Sequence, residues 1–137
     1  MSDWAQVRQH LALRYRLAYD EPDWCGLRWR LGDAEIDQRV ERRAAFGATW
    51  VHVVTEVGPA TLLAADAALM RNAVLPLGAL AVERDRYLLR LPLELDGLTL
   101  ERLDRWMQRA AAEAVRLRVD LVTARRSAPW AFAELME

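Results

Sequence analysis

Few side chains in this sequence have the type and placement to do chemistry. Serine occurs only at positions 2 and 127, where nothing would hold a nucleophile against a base. His10 and His52 fall in different segments with no partner motif beside either, so each reads as a surface or packed side chain, not a ligand. Cys25 opens an alternating segment and reads as a small hydrophobe. As the only cysteine it allows neither an intramolecular disulfide nor a multi-cysteine metal cluster. All 19 basic residues are arginine, and without lysine there is no Schiff-base nucleophile and no P-loop. The six glycines are spread too widely along the chain to form a phosphate-cradling loop, which needs them clustered. The carboxylate pairs Asp20-Glu21 and Asp33/Glu35 sit in turn-like segments and read as solvating charges. The expectation is a protein that is not an enzyme and that uses no cofactor and no metal.

Binding chemistry offers more. Arg28, Arg30, Arg39, Arg42 and Arg43 define an arginine-rich stripe, but Asp37 and Glu41 are interleaved with them, which favours a balanced, solvated face. The net charge of −1 argues against a nucleic-acid partner. Of the six tryptophans, Trp29 and Trp50 read as core or sheet surface, whereas Trp4, Trp24, Trp106 and Trp130 read as possible anchors for a partner. No apolar run approaches the ~20 residues a membrane span needs. The opening MSDWAQVRQHLALRYR lacks the basic start and apolar block of a signal peptide, so no membrane and a cytoplasmic location are expected.

The elements that must position these residues follow from periodicity. Trp4, Val7, Leu11 and Tyr15, widened by Leu13 and Leu17, predict a helix over 3–18 capped by Ser2 or Asp3. Asp20 to Asp23 reads as loop. Leu27, Trp29 and Leu31 alternate with Arg28 and Arg30 in a strand over 24–31. A second strand over 36–45 follows the Gly32-Asp33 turn, with Leu31 placed opposite Ile36, Leu27 opposite Val40 and Arg30 opposite Asp37. A third strand covers 49–57. Residues 60–75 predict a helix with no wide polar face. The stretch VLPLGALAVERDRYLLRLPLEL then predicts a hairpin with its tip at 83–86. Leu100, Leu103, Met107, Ala110, Ala114, Leu117 and Leu121 mark one side of a helix over 99–122, with Glu101–Arg105 and Arg109–Glu113 as ion pairs on its wet side. The result is one α+β domain over 1–123, ordered α-β-β-β-α-β-β-α around a twisted antiparallel sheet, with a tail over 124–137 holding one short helical turn after Pro129.

A helix that is apolar nearly all round must be covered nearly all round. Its own sheet covers one side. A second copy of the chain is the preferred cover for the other, together with the small residues Gly78, Ala79 and Ala81 on the next strand. The competing cover is the third helix and the tail within a monomer.

In element order and spacing the chain resembles the class I type III secretion chaperones, the CesT-like group. The likeness runs from residue 2 to about 122, and the segment TLLAADAALMRNAVLPLGALAVERDRYLLRLPLELDGLTLERLDRWM carries it best. The resemblance implies a homodimer built through 61–75 and 77–82, with Leu62, Ala65, Leu69, Ala73, Gly78, Ala79 and Ala81 at its interface. It also implies a cytoplasmic virulence-associated chaperone whose dimer holds a non-globular, N-terminal segment of a secreted effector. The surface around the first helix and sheet is where such segments bind, which here means Trp4, Val7, Leu11, Tyr15, Leu27, Trp29 and Leu31. Only a rim of that set, Trp4, Leu11, Tyr15 and Trp29, is expected to touch the client. The alternative is a YbjN-like regulatory or scaffold domain of the same fold with no secreted client.

Overall fold

The computed structural model describes residues 3–127. Ser2 as a cap, Trp130 as an anchor and the short turn after Pro129 therefore lie outside the described residues. Over the described residues the chain is α+β: a six-stranded sheet in the order β1-β2-β3-β4-β6-β5, every neighbouring pair antiparallel, with three α-helices.

Helix α1 (Trp4–Arg14) starts at a reciprocal cap: the Gln6 amide donates to Asp3 Oδ1 at 2.8 Å, and the Asp3 amide donates to Gln6 Oε1 at 2.9 Å. Val7 and Leu11 are its buried positions. The helix stops four residues short of the expected end because Leu17 to Glu21 form an edge strand, β1 (Leu17–Glu21), where the last helical residues and the start of a loop were expected. It turns over Pro22-Asp23 into β2 (Trp24–Leu31), with Glu21 opposite Trp24. β1 is exposed along most of its length, so no alternation marks it.

β2 and β3 (Ala34–Ala45) join through Gly32-Asp33, with Gly32 at φ +62, a left-handed conformation open to glycine at little cost. The turn is two residues long, so Leu31 faces Ala34, Trp29 faces Ile36 and Leu27 faces Gln38. The expected pairing is therefore two positions out, and the cross-strand pairs are Arg28 with Asp37 and Arg30 with Glu35. Because the slip is even, every side chain keeps its expected face. Phe46 and Gly47, both at positive φ, make the tight turn into β4 (Ala48–Pro59).

The largest correction concerns the second helix. It is α2 (Ala65–Leu69) followed by a 3-10 turn at Met70–Ala73, not a helix over 60–75. The preceding residues are committed elsewhere: the Ala60 amide donates to the Asp85 carbonyl at 2.7 Å, and the Tyr87 hydroxyl donates to the Leu63 carbonyl. β5 (Ala79–Glu83) and β6 (Arg86–Glu94) form the expected hairpin, and β6 lies between β4 and β5.

Helix α3 (Leu100–Ser127) is longer than expected and takes in the first residues assigned to the tail. Its stripe Leu103, Met107, Ala110, Ala114, Leu117 and Leu121 is buried. Glu113 is buried too and pairs with Arg116; it does not form the expected pair with Arg109, whose guanidinium lies over the Trp106 ring. Glu101–Arg105 is present at 3.2 Å. α1 and α3 cover the sheet face that carries Ile36, Gln38 and Val40, and Gln38 ties the layers together. Its Oε1 accepts from Trp29 Nε1 at 2.8 Å, and its Nε2 donates to Thr55 Oγ1 at 2.9 Å and to the Met107 carbonyl at 3.0 Å.

Candidate interaction surfaces

The residues expected at a dimer interface fall on two neighbouring segments, but Ala79 and Ala81 point to the sheet face away from α1 and α3. Leu62, Ala65, Leu69 and Ala73 lie on the segment around α2, and Gly78, Ala79 and Ala81 lie on or beside β5. Leu62 and Ala81 are half-buried and the other five are exposed. The segment after α2 also exposes Met70 at 74 % and Val74 at 79 %, and β5 exposes Val82. None of these three stood out from the sequence, because they sit inside a run where nearly every residue is apolar. Exposed apolar side chains concentrated in so short a stretch are what an interaction site offers. β5 is one of the sheet's two edges, and it is partly closed. Asn72 Oδ1 accepts from the Leu80 amide at 2.6 Å, and Asn72 Nδ2 donates to the Leu80 carbonyl at 3.0 Å, imitating a neighbouring strand.

The residues expected to bind a client divide differently. Val7, Leu11 and Leu27 are core residues. Leu11 is thus no rim residue, as had been expected, because it points from α1 straight at the sheet. Trp4, Tyr15, Trp29 and Leu31 are half-buried at the margin of that core. The polar ends of three are already engaged: Trp4 Nε1 donates to the Pro22 carbonyl at 2.8 Å, Trp29 Nε1 to Gln38, and the Tyr15 hydroxyl to Asp104 Oδ1 at 2.7 Å. Tyr15 also meets Trp29 edge to face at 5.7 Å. These contacts seal α1 onto β2.

Asp104 is the hub of a latch that the sequence did not reveal. Besides Tyr15, it has His10 Nε2 at 2.8 and 3.0 Å from its two oxygens and Arg14 Nε at 3.3 Å. Burial, reinforced by Asp104, pushes the Tyr15 hydroxyl up to about 12, so it stays a donor. The cluster binds α1 to α3 across a sequence separation that only folding closes. The Cys25 thiol is fully buried and pushed up to about 11 by burial first and then by Asp20, which keeps it protonated and inert. Among the described residues no group of three or more His, Cys, Asp or Glu is arranged to hold a metal ion, and no helix is long and apolar enough to cross a membrane.

The arginine stripe is paired throughout. Arg28 bonds Asp37 at 2.8 Å, Arg30 bonds Glu35 at 3.0 Å, and Arg42 bonds Asp23 at 2.6 Å. Arg39 and Arg43 converge on Glu41 at 2.8 and 2.7 Å. Burial alone would raise the Glu41 carboxyl, but Arg43 and Arg39 outweigh it and hold the group below the ordinary carboxylate value. His52, on the same face, is held below the ordinary imidazole value by burial first and then by Arg43 and Arg90. Comparison with protein-family models, curated proteins and solved structures finds no match to this chain.

Proposed function

We propose that this chain is a cytoplasmic secretion chaperone that acts as a homodimer. It would hold a non-globular segment of a type III secreted effector and keep that segment soluble and competent for export. The observation that carries this reading is the exposed apolar surface around α2 and β5, set within the element order that resembles the CesT-like group. Met70, Val74 and Leu69 offer a second copy apolar side chains to pack against across a two-fold axis. Asn72 occupies the β5 edge at Leu80, which favours packing of side chains over pairing of strands. Such a chaperone needs no catalytic group; apolar grooves suffice, returning roughly 25 cal/mol per Å² buried before ordering costs are subtracted.

One observation favours the second reading, a YbjN-like regulatory or scaffold domain with no client. The helix through which the resemblance places the dimer is only five residues long here. Co-expression with each neighbouring gene product tests the two. The chaperone reading expects a stable complex with one or a few of them; the scaffold reading expects none.

A further inference from the structure

The proposal below rests on the chaperone reading and assigns the client's site and chemistry. On the sheet face away from α1 and α3, Gly26, Arg39, Val54 and Arg90 form one cross-strand row, and Glu56, Leu88 and Ala81 form the next. Val54 is 2 % exposed and Leu88 5 %, although the space above them is lined only by strand residues and Arg16. An open trough of about 920 Å3 lies on this face, with Gly26, Val54 and Leu88 among its lining. At one end the Tyr19 and Trp24 rings, 5.3 Å apart, stand beside Gly26. A Cβ at that position would lie 3.1 Å from each ring, so glycine leaves room for both.

The walls carry Arg16, Arg28, Arg30 and Arg39 against Glu35, Asp37 and Glu56. All three carboxylates are engaged: Asp37 and Glu35 by Arg28 and Arg30, and Glu56 by Arg86 at 3.1 Å. No wall carboxylate is left for an incoming cation. One guanidinium of the lining remains under-used: Arg16 has no ion pair among the described residues. The trough therefore favours an incoming carboxylate over an ammonium.

We propose that this trough binds an acidic, apolar-anchored peptide segment. Its apolar side chains rest against the Tyr19 and Trp24 rings beside Gly26, and a carboxylate pairs with Arg16. A nucleic acid suits the site less well, because its regularly spaced phosphates would need several free guanidiniums and Arg28, Arg30 and Arg39 are already paired.

Fluorescence anisotropy of the full chain tests this with three labelled probes. Two are synthetic peptides sharing one Leu/Phe pattern, with glutamate or with lysine at every polar position; the third is a single-stranded oligonucleotide. The glutamate peptide should bind saturably and at least about tenfold more tightly than the lysine peptide. Tyr19→Ala and Arg16→Glu, both at exposed positions, should each weaken it by about tenfold. Equal affinity for the two peptides, preference for the oligonucleotide, no binding, or unchanged affinity in both variants would overturn the assignment. The chaperone reading is scored separately by co-expression. A chain that captures a neighbouring gene product yet ignores the glutamate peptide loses the trough and keeps the function.

Discussion

At the scale of single residues, the most constrained side chain is Gln38. It is buried, and each of its polar atoms serves a different element, so replacing it strands partners in a dry core. Gln38→Leu should lower unfolding free energy by about 2–3 kcal/mol in chemical denaturation, since the Trp29 indole and the Thr55 hydroxyl each lose a bond. A smaller loss would mean that those groups find other partners. Glu41 and His52 set the response to acid. Each is held below its ordinary value in the folded chain, so at low pH the unfolded chain binds more protons than the folded one. The His52 contribution is complete above its ordinary value of 6.5 and is lost as pH falls from there through the folded value. The Glu41 contribution is complete above 4.5 and is lost below it. Stability should therefore decline in two stages on acidification, and His52→Gln should flatten the first. A titration in which the variant and the parent run parallel would remove His52 from this role.

At the scale of elements, α1 and the α2–β5 segment make opposite demands. Trp4 and Tyr15 seal α1 to the sheet, so a double change to alanine should lower the melting temperature; retention of full stability with loss of a bound client would instead make them contact residues. Leu69 and Val74 already face solvent in a single chain, so Leu69→Arg or Val74→Arg should leave it folded and shift its mass in light scattering from dimer to monomer. A dimer surviving both changes would place the interface elsewhere. These elements also differ in how plainly the sequence announces them. β2, β3, β4 and α3 alternate or repeat against one buried face, and Arg28/Trp29 or Leu103/Met107 show it directly. The register of β2 on β3 hung on the length of one turn, and an even slip left the faces intact. β1 escaped notice because an edge strand open to water on most of its length carries no pattern. The segment over 60–75 misled because alanine and leucine on every side erase periodicity, and its ends are set by distant partners, Asp85 and Tyr87. The Asp104 latch and the trough depend on residues far apart in sequence.

At the scale of the whole molecule, the sheet separates two kinds of surface. One face is sealed by α1 and α3 and fastened by Gln38 and Asp104. The other carries the trough with its charged walls, and the exposed apolar side chains of α2–β5 lie at the sheet's end. This division suits a protein that associates with itself at one place and with an extended partner at another. Native mass spectrometry after co-expression with each neighbouring gene product reads both associations at once. The account predicts an ion containing two copies of this chain with a bound client. Only single, unaccompanied chains across every neighbour would contradict it.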